Sequence, residues 1–95
     1  MTIFVLARAY RDISEIWNYI AADNPAAADE LEEQFFEAIK LLGEQPGIGH
    51  QRADVGDTRS RFWRVGTYLI AYRVRGRKLT VRRVIHSARD FRRLF

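Results

Sequence analysis

The sequence predicts an α+β fold, an N-terminal strand and an α-helical hairpin packed on an antiparallel β-sheet. Three observations carry that prediction. Residues 60–86 contain three runs of strand character joined by two short connections that each include glycine. Residues 9–42 carry apolar side chains at helical spacing, interrupted once, at Asp23-Asn24-Pro25. Two helices joined this closely form an antiparallel hairpin whose apolar stripes need a further surface to cover them, and the sheet supplies it. A chain of 95 residues suffices for one core and not for two, so residues 1–95 are expected to form one domain. Its parts are the hairpin over 9–42, the sheet over 60–86 and a short basic tail over 87–95.

Residues 3–6 are apolar, β-branched in part and too few for a useful helix, so they are expected to form a strand that pairs with the later sheet. In the first helix, expected over 9–22, Ile13, Ile16, Trp17 and Ile20 share one stripe, while Asp12, Glu15 and Asn18 are expected to face away. Asn24 can cap the second helix, and Pro25 suits its first position, where a missing N–H costs nothing. That helix should run over 25–42 with Ala28, Leu31, Phe35, Ala38 and Leu42 inside and Gly43 as its left-handed C-terminal residue. Residues 43–56 have glycines, a proline and no periodicity, and read as a loop. Runs over 60–65, 68–74 and 79–86 then form the sheet. In the middle one, Tyr68, Ile70, Tyr72 and Val74 alternate with Leu69, Ala71 and Arg73. Gly66-Thr67 and the segment from Arg75 to Lys78 supply the turns.

Charge is distributed unevenly. Residues 1–45 contain three basic and nine acidic side chains, whereas residues 59–95 contain twelve basic side chains and only Asp90 as an acid. The overall charge of +4 conceals this asymmetry, and a basic second half points to an anionic partner: nucleic acid or an acidic protein segment. There is no cysteine, which excludes disulfides and thiolate zinc sites. The first residues lack a basic region of signal-sequence type and no apolar run reaches membrane-spanning length, so a soluble cytoplasmic protein is the expectation.

The series Asp12-Ile13, Ile16, Tyr19-Ile20, Asn24-Pro25, Ala27-Ala28, Leu31, Ile39, Leu42, Pro46 and Gly49 continues with Arg61, Trp63, Val65-Gly66 and residues 68–73. It closes with Arg83-Val84, His86 and Ala88-Arg89-Asp90. In this order and spacing it resembles the ParE toxins of the RelE/ParE superfamily of bacterial toxin–antitoxin modules, over nearly the whole chain. The resemblance implies the same helical hairpin against a sheet. It also implies a ParD-like antitoxin whose flexible part wraps the toxin and whose other part binds operator DNA, and inhibition of DNA gyrase as the toxic act. RelE-like relatives instead cut messenger RNA on the ribosome.

Cleavage of RNA needs an acid–base pair beside arginines, and Arg64, Arg83, His86 and Arg89 are the candidates for it. Two positions depart from the ribonuclease pattern: Leu69 stands where those relatives usually carry arginine, and the tail ends in Phe95 where they often have tyrosine. Binding without catalysis is therefore the first reading. Arg83, His86, Arg89, Asp90, Arg92 and Arg93 are the expected target contacts, and Arg61, Trp63, Tyr68, Tyr72 and Arg73 the expected antitoxin contacts. His86 is read either as a general base or as a hydrogen-bonded strand-end residue, and Arg89-Asp90 as an ion pair. Interleaved aromatics and arginines also allow a third reading, direct nucleic-acid binding with a steep salt dependence. His50 has no ligand partner at useful spacing, so neither a metal nor a cofactor is expected.

Overall fold

The computed structural model describes residues 1–52 and 58–88. Six elements follow in order: β1 (Thr2–Val5), α1 (Ala7–Ala21), α2 (Pro25–Glu44), β2 (Arg61–Val65), β3 (Tyr68–Arg75) and β4 (Lys78–His86). The strands form one sheet in the order β1-β4-β3-β2. Pairing of β2 with β3 and of β3 with β4 is antiparallel, as the two short connections require. The N-terminal strand joins the edge beside β4, and it does so parallel, with Thr2 opposite Lys78 and Val5 opposite Val81. The sheet is thus mixed, because the chain passes through two helices before it returns to the strand beside β1.

Both turns use glycine where positive φ is needed. Gly66 and Gly76 have φ of 59° and 60°, and each is the first of two turn residues, the pattern of a type II′ hairpin. Asn24 caps α2 as its sequence position suggests, with Oδ1 accepting from the Ala27 N–H at 3.1 Å. The indole N–H of Trp17 donates to Asp29 at 2.9 Å and ties the two helices together.

The core lies between the helical hairpin and one face of the sheet. Ile13, Phe35, Ile39 and Leu42 meet Tyr68, Ile70, Tyr72, Leu79, Val81 and Val84 there. A second, smaller cluster of Phe62, Leu69, Ala71 and Ile85 lies on the opposite face, as the alternation along β3 dictates. β3 is consequently buried on both faces from Tyr68 to Tyr72. In β4 the alternation breaks: Ala71 faces Arg83 and Tyr72 faces Val81, leaving Arg82 unmatched. This bulge shifts the phase of β4 by one residue, so Val81 and Val84, three apart, both reach the main core.

Two local expectations are corrected. Gly43 does not end α2, which continues to Glu44 with Gln45 as its cap. A Cβ on Gly43 would stand 2.4 Å from Cδ1 of Ile3, so glycine here admits the β1 side chain against the helix. Asp12 does not face away from the core. It is 4% exposed, and its burial organises the edge of the sheet.

Candidate functional site

Strand β1 covers β4 only as far as Val81, where the Leu6 N–H still reaches the Val81 carbonyl at 3.0 Å. Beyond that point the edge of β4 would expose backbone donors to a buried environment. Asp12 supplies the missing acceptor, because one turn into α1 its side chain lies over this edge. Its Oδ2 accepts from the Val84 N–H at 2.9 Å and from Arg83 Nε at 2.8 Å, and its Oδ1 accepts from Arg83 Nη2 at 3.0 Å. Arg8, one turn earlier and half exposed, adds a looser contact at 3.4 Å. The result is a bidentate, partly buried pair that fixes the Arg83 guanidinium.

A cleft of about 240 Å3 opens beside this pair, between α1 and β4, and is lined by Arg8, Asp12, Glu15, Tyr19, Tyr68 and Arg83. Tyr19 is 71% exposed, while Tyr68 is buried and meets Phe35 edge-on. His86 lies opposite Tyr68 in the β3–β4 register, with ring centroids 5.4 Å apart and planes at 86°. Its Nδ1 accepts from the Ala88 N–H at 3.2 Å, which places the ring proton on Nε2. Arg83 lines this cleft, and His86 approaches it only through its contact with Tyr68. Arg89, Asp90, Arg92 and Arg93, expected to join them, lie outside the described residues.

Arg64 is not part of this region; it is exposed in β2 and donates to the Gly66 carbonyl at 3.3 Å. Leu69 is buried in the small outer cluster. Thus, among the described residues, Arg83 lines the cleft while His86 and Arg64 do not, and the position of the relatives' arginine is packed with apolar carbon.

The five expected antitoxin contacts separate. Arg61 and Arg73 line a wide groove of about 770 Å3 at the end of the β3–β4 hairpin, together with Arg59, Arg75, Lys78 and Arg82. Trp63 is half-buried and stacks on His50 with centroids 6.4 Å apart. Tyr68 belongs to the cleft. Tyr72 has no accessible surface in the free chain. Its hydroxyl donates to the Pro46 carbonyl and accepts from the Gly49 N–H, both at 2.8 Å, which pins the loop after α2 to the core. Burial raises the Tyr72 hydroxyl above its ordinary 10.0, opposed by the Gly49 hydrogen bond and by the nearby charge of Arg61. Next to this clasp, His50 and Phe62 exchange backbone hydrogen bonds at 2.8 Å.

The sequence reading missed Asp12 and four of the groove's cations. The groove was signalled by cations at both ends of a glycine turn, Arg73 and Arg75 before Gly76 and Lys78 and Arg82 after it. Asp12 carried no such signal.

The chain is a small α+β protein in which a helical hairpin covers one face of a mixed sheet, with a cleft between α1 and β4. A family model described as "ParE toxin of type II toxin-antitoxin system, parDE" matches residues 3–91. The chain belongs to that family. Among solved structures it is similar to a chain from the chromosomal ParDE TA system of P. aeruginosa, with a TM-score of 0.76 and 19% identity. That similarity covers 90% of this chain and 95% of the other, and it speaks for the fold. No curated protein sequence matches this chain.

Proposed function

We propose that this ParE-family toxin acts in the cytoplasm by binding DNA gyrase, without catalysis of its own, and that a ParD-like antitoxin neutralises it. The observation that carries this reading is the state of the residues a ribonuclease would need. Arg83 is held by Asp12 along the Nε–Nη2 edge of its guanidinium, and Leu69 packs in an apolar cluster. A general base beside an arginine poised for phosphate is not what such an arrangement favours. An oriented, partly buried cation beside exposed Tyr19 is suited to recognition of a protein surface.

In this reading Arg83, His86 and the basic segment through Arg89, Asp90, Arg92 and Arg93 contact gyrase or its DNA complex. Arg61, Trp63, Tyr68 and Arg73 serve the antitoxin, which reaches operator DNA through its own residues. Induction of the toxin in cells carrying a reporter plasmid tests the proposal. Relaxed or linearised plasmid with intact messages supports it. Cleavage of translated messages with unchanged plasmid topology would replace it with the RelE-like ribonuclease reading.

A further inference from the structure

The helical hairpin carries an exposed apolar patch that neither the core nor the surface around Arg83 uses. Tyr10 and Phe36 meet across the seam between α1 and α2 with ring centroids 6.3 Å apart, and they are still 51% and 40% exposed. Leu6, one turn before Tyr10, and Ile3, which packs at Gly43 two turns after Phe36, extend the patch toward β1 and are exposed as well. An exposed group of large apolar side chains marks a surface for association.

The charges beside this patch are divided between the two helices. The Tyr10–Phe36 contact and the Trp17–Asp29 hydrogen bond set the antiparallel register of the hairpin, and in that register Arg11 lies level with the stretch between Glu33 and Glu37. Successive residues advance about 100° around a helix, so Arg11, Ser14 and Asn18 form the outward crest of α1 and Glu30, Glu33 and Glu37 that of α2. All six are exposed. One crest is basic and otherwise neutral, and the other is acidic. The single cation of α2, Lys40, lies level with Leu6, more than a turn away from Arg11.

We infer that this face binds a second copy of the chain about a two-fold axis running along the seam. Such an axis lays α1 of each copy over α2 of the other, with Tyr10 and Phe36 of both at the centre. Every residue keeps its level along the axis, so Arg11 of each copy falls between Glu33 and Glu37 of the other, and the pairing occurs twice. A two-fold axis across the hairpin, through the same aromatic centre, would instead bring Arg11 near Arg11 and Glu33 near Glu33. An acidic partner would meet the α2 crest and a basic one Arg11, whereas a second copy meets each charge with its opposite. Aromatic side chains at the centre and charges at the rim are the anatomy of a specific interface. The inference does not depend on the proposed function.

Sedimentation velocity of the full-length chain, freed of its antitoxin, tests it, with folding of every variant shown by circular dichroism. The expected result is a dimer at about 100 μM that dissociates on dilution. Phe36→Glu and Arg11→Glu should each weaken the dimer by about tenfold or more. Adding Glu33→Arg and Glu37→Arg to Arg11→Glu should restore it, because both crests then exchange sign. A monomer at about 100 μM, a dimer indifferent to Phe36→Glu, or a folded triple variant that does not recover would each overturn the inference. A chain that is monomeric alone, and whose affinity for the antitoxin falls with Phe36→Glu, would overturn it by assigning the patch to the antitoxin.

Discussion

Arg83 donates through both Nε and Nη2 to the two carboxylate oxygens of Asp12, across 71 residues of sequence, and this pair closes the sheet edge that β1 leaves open. The same carboxylate takes the Val84 N–H, so its removal would leave a buried donor and a partly buried cation together. Asp12→Ala should therefore destabilise the protein by about 2–4 kcal/mol in urea unfolding. Arg8→Ala, which removes only the exposed contact at 3.4 Å, should cost about 0–1 kcal/mol. Equal costs for the two variants would show that Asp12 is not the organising partner.

Tyr72→Phe keeps the buried ring but deletes the hydroxyl clasped between Pro46 and Gly49. The buried Gly49 N–H then has lost its acceptor, and the cost should be about 1–3 kcal/mol. Hydrogen exchange at Gly49 should speed up more than at Val84. An unchanged exchange rate at Gly49 would contradict the clasp.

The two crowded glycines should respond differently to alanine. A Cβ on Gly49 would lie 2.3 Å from the hydroxyl of the fully buried Tyr72, so Gly49→Ala must break the clasp and destabilise. At Gly43 the obstacle is the terminal methyl of Ile3, which is 37% exposed on an edge strand and can rotate. Alanine in a helix gains up to about 1 kcal/mol over glycine, so Gly43→Ala should be near neutral. Adding Ile3→Val, which lacks that methyl, should turn it stabilising in thermal unfolding.

Alkaline pH should report on Tyr72. Its folded value lies above the unfolded one, so its contribution to stability is complete below about pH 10 and is lost as pH rises through the folded value. Ultraviolet absorbance should show Tyr72 ionising late, coupled to unfolding. Tyr72→Phe should abolish that late step.

Much of this structure was legible because its signals are local. Asn24-Pro25 marks a capped helix start, and Gly66 and Gly76 mark turns with positive φ; each acts within a few residues. The spacing of Ile13, Phe35 and Leu42 gave the inner faces of the helices for the same reason. Asp12 was misread because its partner, Arg83, is brought to it only by the parallel return of β4 alongside β1, and on a helical wheel it borders the apolar stripe as any solvated acid would. Gly43 was misread as a cap because its packing against Ile3 is likewise tertiary. The bulge at Arg82 interrupts the alternation within a run that reads as continuous strand, so the separation of Arg83 from the groove's cations was not visible. Tyr72 illustrates the same limit: alternation placed it on a face, but only the loop that closes over its hydroxyl shows what that hydroxyl bonds to.

His86, one contact among several in the proposed gyrase surface, has an edge-on contact with Tyr68 and an Nδ1 that accepts from the Ala88 N–H. His86→Ala should leave toxicity on induction within a few-fold of the parent, about 1 kcal/mol or less of effect. Complete loss of toxicity in a variant that remains folded would restore His86 as a general base.

The most direct test adds the purified chain, freed of its antitoxin, to DNA gyrase and relaxed plasmid and scores supercoiling together with trapped cleavage complexes. Inhibition accompanied by cleavage complexes, and diminished by Arg83→Glu in a folded variant, is the predicted result. Undisturbed supercoiling by protein that is folded and rebinds its antitoxin would contradict the gyrase reading.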